Sequence, residues 1–562
     1  MEEQDWEPAR LIPVSGINGA DEQERRGVSA LMAVLVSVRE FGRAITVPLG
    51  APAGAISAFI EVPFTLEGAS LRPDGLIRVV RGGRTWTALV EVKTGRNDLT
   101  APQIEGYLDV AREQGFDAVL TISNQLVSAP GEHPVDVDRR KCRKVALHHL
   151  SWSEIHTEAV IERVNHAVAD PDQAWILAEL IRYLEHPRSG AVDFDDMGPS
   201  WVTVREAVTQ RTLRATDKHA AEVVSRFGQL VAFSGMRLAR SLGVPVKPVM
   251  TRAELADRGG WTQAQIHQLV EHGTLQGSLR VPNAVAPFTL SADPRAGRIS
   301  CSITVDAPTD GRPTTRVNWL LRQLHDAPDS LLIEAVAART RGAGPLYPIV
   351  KLREKPELLI EDPSRELKAF IVTLGAVAGT KRGQGRGSFV GSMLDLSERF
   401  YAEVVQHLRP WSATAPRSKS LDTAVHDAAA GEIVGELPIE DEVADHPDEE
   451  TSVGSRDSAY ENTGSQLGDV PVETGRQTSA VFEDVDADRA VVGTSPTSPG
   501  ADGWDGPSAA MRAALEARSD QPPDEPGDAA QDPKDSSSTM WSDSESSSQS
   551  SKTESVSSTG DS

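Results

Sequence analysis

The run Thr85 to Lys93, TWTALVEVK, constrains the fold more than any other stretch, because it is apolar until it ends in a carboxylate and an ammonium two residues apart. Side chains alternate along a strand, so Trp86, Ala88, Val90 and Val92 share one face while Leu89, Glu91 and Lys93 share the other. Charges at the end of an apolar strand are costly unless they are paired or bind a metal. A strand-end salt bridge reaching solvent meets that condition, and so does a catalytic pair.

The flanking segments build a domain around this strand. From Asp21 to Ala44, Val28, Leu31, Leu35 and Val38 recur at threes and fours, which predicts one amphipathic helix ended by Gly42 and Pro48. Strand-like runs follow at Ile56 to Pro63 and Leu76 to Val80, with Pro73, Gly75, Gly82 and Gly83 as turn residues. A helix from Pro102 to Gln114, closed by Gly115, precedes a strand from Phe116 to Ser123, and Lys144 to Leu150 supplies another strand before a helix from Ser151. Helix, three strands, helix, strand is the order of an α/β domain with a mixed sheet flanked by helices.

Several polar residues fall where that domain would converge. Asp74 lies in the turn Arg72-Pro73-Asp74-Gly75 and opens the run joined to the Glu91 strand through Gly82-Gly83. A hairpin of these runs brings Asp74 beside Glu91 and Lys93. The two carboxylates and the Val92 carbonyl then offer hard oxygen ligands suited to Mg²⁺ or Mn²⁺. Gln103 and Tyr107 are one helical turn apart and share a face. Glu24 precedes Val28, Leu31 and Leu35 by four, seven and eleven residues and so lies on the apolar stripe, which Glu22 and Glu40 miss. An acid there serves the helix dipole as well as it would serve a site.

Asp74, the triplet Glu91-Val92-Lys93, and Gln103 with Tyr107 together resemble the signature of the PD-(D/E)xK nuclease superfamily, with QIEGY similar to the QxxxY element of its RecB-like and Mrr-like branches. The resemblance covers roughly residues 20–150. It implies a restriction-endonuclease-like core and metal-dependent hydrolysis of nucleic-acid phosphodiesters, with DNA the expected substrate. Asp74, Glu91 and the Val92 carbonyl would bind the cation, and Glu24 would match the helix acid that some members add. Lys93 would orient or help deprotonate the attacking water, and Gln103 and Tyr107 would position water or strand. Arg72, Arg96 and the glycine-rich run Lys381 to Arg386 are candidates for phosphate contact, since the nuclease-like segment shows no strongly basic groove.

The remaining chain is expected to divide into a helical region at 169–280, an α+β accessory domain at 281–410 and a tail at 411–562, after an arm at 1–20 and the nuclease-like domain at 21–168. Within the helical region, Thr251 to Val281 suits either a helix-turn-helix or a plain packing hairpin. In the accessory domain, strands are expected at Ile299 to Val305, Arg316 to Leu320, Leu331 to Ala337, Leu358 to Ile360 and Lys368 to Leu374.

Charge separates tail from body. Of the formal charge of −25, nearly all belongs to residues 411–562, which hold 9 Lys+Arg against 32 Asp+Glu and leave 48 and 50 for residues 1–410. The acidic total therefore does not exclude nucleic acid as partner of the body. The Ser, Asp, Glu and Pro-rich tail is expected to be disordered, as a solubilising segment or a contact for a protein partner. With only Cys142 and Cys301, no disulfide framework or cysteine-rich zinc site can be built. Met1 to Arg10 is acidic where a signal peptide is basic then apolar, and no apolar run is long enough to span a bilayer. A cytoplasmic protein without membrane contact is expected. Two alternatives to an active nuclease stand beside it: a catalytically silent binding or scaffolding protein of the same fold, and a DNA-binding regulator using residues 251–281.

Overall fold

The structure, a computed structural model, describes residues 10–413 apart from Glu67, Pro130, residues 165–167 and Arg341. The expected disorder of the acidic tail falls on residues that lie, from 414 onward, outside the described ones, as do the first nine residues of the N-terminal arm.

The chain is mixed α/β, built on two large sheets. The first has strand order β1-β4-β5-β6-β7, from β1 (Ala55–Ile60), β4 (Gly75–Arg81), β5 (Arg84–Val92), β6 (Ala118–Ser123) and β7 (Ala146–Ser151). The strands β1, β4 and β5 pair antiparallel, whereas β5, β6 and β7 pair parallel. All six residues of β6 are buried, as a central strand covered on both faces requires. A short hairpin of β2 (Phe64–Leu66) and β3 (Ala69–Leu71), too brief to announce itself in the sequence, precedes β4.

Helices cover both faces of this sheet. On one face Val90, Val92, Leu120 and Ile122 pack with residues of α1 (Ala20–Ser37), α2 (Arg39–Thr46), α4 (Trp152–Val164) and α5 (Pro171–Leu184). On the other, Leu89 and Val119 pack with Ile104, Leu108 and Ala111 of α3 (Ala101–Gln114). Proline in its first turn and Gly115 in the left-handed region (φ 68°) bound α3 as its sequence predicts.

The single helix expected from Asp21 to Ala44 is two. Val38 is extended (φ −106°, ψ 99°) and separates α1 from α2. Gly42 does not end a helix but lies inside α2, where a Cβ would sit 2.2 Å from the Leu35 carbonyl oxygen. Its conservation of space, rather than backbone freedom, is what lets α2 fold back on α1. Gly75 plays the same part at the start of β4, where a Cβ would come 2.8 Å from the Met32 methyl on α1.

The second sheet is antiparallel throughout, in the order β13-β12-β14-β11-β10-β9-β8. Its strands are β8 (Lys247–Pro248), β9 (Leu275–Arg280), β10 (Phe288–Asp293), β11 (Arg298–Asp306), β12 (Leu332–Ala337), β13 (Leu346–Pro348) and β14 (Leu367–Val377). Its apolar face, including Leu290, Cys301, Ile303, Phe370 and Val372, shares one core with α6 (Trp201–Thr209), α7 (Lys218–Leu242) and α12 (Phe389–Glu403).

The expected helical region is therefore shared out between the two sheets. Leu177, Leu180 and Tyr183 of α5 belong to the core of the first, while α6, α7 and β9 belong to the second. Arg316 to Leu320, expected as a strand, is part of α10 (Pro313–Gln323), with Pro313 in its first turn. The run alternates polar and apolar as a strand does, but Val317 and Leu320, three apart, also share a helix face, and so short a run does not decide between the two. Leu358 and Leu359 fall in a 3₁₀ turn over Pro356–Leu359 instead of a strand. In the 251–281 segment, Asp257 alone separates α8 (Arg252–Ala256) from α9 (Arg258–Glu271), and Gly259 and Gly260 lie in the first turn of α9. That single-residue break is shorter than the turn of about three to four residues in a helix-turn-helix. No helix among the described residues is long and apolar enough to cross a membrane.

Candidate active site

Where β4 begins, its ladder with β5 stops at the pair Gly75 and Val90. Two residues farther along β5 the Val92 N–H therefore has no strand partner on that side, and it donates instead to Asp74 Oδ2 at 2.8 Å. The N–H and C=O of one strand residue face the same neighbour, so the Val92 carbonyl is turned toward Asp74 too. On the opposite side the Lys93 N–H donates to the Ile122 carbonyl (2.7 Å), and Trp152 Nε1 donates to the Lys93 carbonyl (2.9 Å). The strand end that carries the charged pair is thus held from both sides.

The side chains expected to converge do so. Lys93 Nζ lies 2.7 Å from Glu91 Oε1 and 3.1 Å from Glu24 Oε1. Gln103 Nε2 donates to Glu91 Oε1 (2.6 Å) and to the Tyr107 hydroxyl (3.3 Å), which donates to the Arg72 carbonyl (3.3 Å). Glu24 reaches the site because it begins the buried stripe of α1, as its spacing predicts. Glu91 is 1% exposed, and both its Oε2 and that of Glu24 are buried without a hydrogen-bond partner.

The electrostatics follow from this crowding. Burial, then the neighbouring Asp74 charge, raises the Glu91 pKa to about 7, against the pull of Lys93. Burial also raises Asp74 above the usual carboxylate range, with the Val92 N–H and Lys93 opposing. For Lys93, burial disfavours the ammonium, but Glu91 and Glu24 outweigh it and lift the pKa above its ordinary value. Burial and the Glu91 charge raise Tyr107.

The donor set fits a hard divalent cation. Glu91 Oε2 and Glu24 Oε2 are buried acceptors lacking donors, and the Val92 carbonyl faces the same side as Asp74. Among the described residues no three His, Cys, Asp or Glu side chains converge closely enough to cage an ion by themselves.

The candidate phosphate contacts fare less well. Arg72 pairs loosely with Glu61 (3.7 Å) and Arg96 is exposed in the turn after β5. The Lys381 to Arg386 loop is docked on the chain: Arg382 Nε lies 3.2 Å from Asp196, its carbonyl accepts the Met197 N–H, and Gln384 bonds to Asp195. Arg382 and Gln384 are thus engaged within the fold, while Lys381 and Arg386 are exposed.

Sequence reasoning missed a polar row beside the site. Thr121 is in register with Glu91 on one side and His149 on the other. Its hydroxyl lies 2.9 Å from both His149 Nδ1 and His133 Nε2. Burial lowers the pKa of His149 to about 4 and that of His133 below its usual value, so both are neutral near pH 7. Asn124 was also missed. Its amide donates to the Gly95 and Gly190 carbonyls (3.0 and 2.8 Å) and pins the turn after Lys93. The runs that form β6 and β7 were visible, but the register that aligns Thr121 with Glu91 is a property of the sheet.

No protein-family model matches the chain, and no curated protein matches it.

Proposed function

We propose that the protein is a Mg²⁺-dependent nuclease of the PD-(D/E)xK type, hydrolysing phosphodiester bonds in DNA. One observation carries the reading: Asp74, Glu91, Lys93 and Glu24 meet at the end of β5, with two buried carboxylate oxygens left without partners. Buried ionised groups with unmet acceptors are expensive, and they occur where a cation or substrate completes them. The strand order β1-β4-β5-β6-β7, with α3 leading from β5 to β6, supports the restriction-endonuclease-like core. So does the location at the carboxyl ends of parallel strands.

Asp74, Glu91 and the Val92 carbonyl would hold the ion, with water and phosphate oxygens completing its shell. Bound there, Mg²⁺ supplies Lewis-acid polarisation of the scissile phosphate and a more acidic water. Lys93, kept protonated by its two carboxylates, stabilises the charge that accumulates on the phosphate as the water attacks. This makes it a poor proton acceptor. Gln103 fixes the Glu91 carboxylate through Oε1 and leaves Oε2 to the ion.

The test is cleavage of plasmid and oligonucleotide DNA with Mg²⁺ or Mn²⁺. Lys93→Ala and Asp74→Ala are each expected to lose about 10²-fold or more of the rate, and unchanged cleavage in both rejects the assignment.

A silent binding protein of the same fold is the second reading. It is favoured by the fact that Lys93 already pairs with both Glu91 and Glu24, a network able to stand as a structural element. Calorimetric titration with Mg²⁺ separates the two, since heat that disappears in Glu91→Ala belongs only to a working site.

A further inference from the structure

A cavity of about 320 Å³ lies at the rim of the second sheet, between α7, the α8–α9 hairpin and strands β9 to β11. Its size is that of a small-ligand pocket. Apart from Glu254, its polar lining is neutral and includes Gln265, Gln276, Ser278, Thr289 and Ser302. Its apolar lining includes Phe227, Val231, Met250 and the indole of Trp261.

The charged groups at this place are occupied. Glu254 Oε2 accepts the Thr251 N–H at 2.6 Å in the capping box of α8. The Arg258 guanidinium lies 4.3 Å from the centre of the Trp261 ring and bonds through Nε to Glu132 at 2.6 Å. An anion such as phosphate therefore finds no free cation in the lining. One neutral group is unmet: Gln276 Nε2 is buried without a hydrogen-bond partner. Ser278 and Thr289 bond to each other at 2.8 Å, and each hydroxyl keeps capacity for another partner.

We propose that this cavity binds a nucleoside. Amides and hydroxyls both donate and accept, which matches the mixed edge of a heterocyclic base. A Trp-and-aliphatic wall suits the apolar faces of the same ring, as in pockets that take up a single base. A saccharide would present hydroxyls in every direction, and the apolar wall would leave part of them unpaired. The site is separate from the carboxylate–lysine cluster, and its occupation does not depend on whether that cluster cleaves DNA.

Equilibrium dialysis of the full-length protein against adenosine, guanosine, cytidine and thymidine tests the proposal, with a short single-stranded oligothymidylate as the arm that separates a free nucleoside from a base in a strand. Glucose and inorganic phosphate are the controls. At least one nucleoside or the oligonucleotide is expected to bind and to raise the melting temperature. Gln276→Leu, close in size but without the amide, should weaken that binding about 10-fold. Thr304→Trp, at an exposed position on the cavity lining, should block it without disturbing the core. Absence of binding at millimolar concentration overturns the proposal. So does binding of glucose or phosphate alone, or an affinity unchanged in both variants.

Discussion

In the antiparallel sheet region, Arg316 is 8% exposed, yet its guanidinium donates to the Leu367 carbonyl at 2.9 Å, the Thr309 carbonyl at 2.6 Å and the Gly311 carbonyl at 3.2 Å. Glu334, 9% exposed, accepts the Gly344 N–H. At the end of β5 the burial is as deep, but two carboxylates keep an oxygen with no donor and a third, Asp74, is held nearby. Charge that is closed off by backbone groups serves the fold. Charge left open, and shifted in pKa, is poised for something that arrives from solution. Both sheets bury ionised groups, so depth alone does not distinguish a site from a brace; what sets the end of β5 apart is that two carboxylates with an open oxygen share one lysine.

The sharpest way to break this contrast is to remove a charge from each region. Arg316→Ala is expected to lower stability by about 2–4 kcal/mol, because it orphans several carbonyls at once. Cleavage per folded molecule should stay unchanged, the reverse of Lys93→Ala. Thermal unfolding alongside the plasmid assay checks both halves.

The next effect is a pH dependence. Folded Glu91 titrates near 7, against an ordinary value of 4.5, so the folded state keeps a proton that the unfolded chain has released. Its burial costs stability progressively as pH rises from about 4.5 to 7, and no more beyond that. Glu91→Gln does not titrate. Relative to the wild type it should gain on the order of 1–3 kcal/mol across that window. A flat difference between pH 4.5 and 7 would place the raised pKa elsewhere. For the same reason Mg²⁺ affinity of the wild type should rise about tenfold per pH unit below pH 7 and level off above it, read by calorimetry.

The smallest effect belongs to the docked loop. Arg382→Ala breaks a half-exposed pair with Asp196 and should change stability by less than about 1 kcal/mol. It should leave DNA affinity within about twofold; a large loss of affinity would return the loop to the list of phosphate contacts.

How much of this could be read beforehand varies along the chain. The core strands of the first sheet and α3 were legible because their periods are long and their ends carry proline and glycine. The break at Val38 was not, since Gly42 looks like a terminator until the close approach of Leu35 is known. Beside the second sheet, Arg316 to Leu320 shows how a five-residue run with strand-like alternation is read wrongly when its neighbours, not its own pattern, decide the state.

The sequence by itself determined which residues could form the carboxylate–lysine cluster, because alternation along β5 and helical phase along α1 and α3 are local properties of the backbone. Only the tertiary structure decided that the ladder stops before Val92, that Glu24 shares Lys93 with Glu91, and that Thr121 and His149 line up beside them. Those facts depend on register and on the meeting of segments many residues apart, and nothing local to either segment encodes the distance between them.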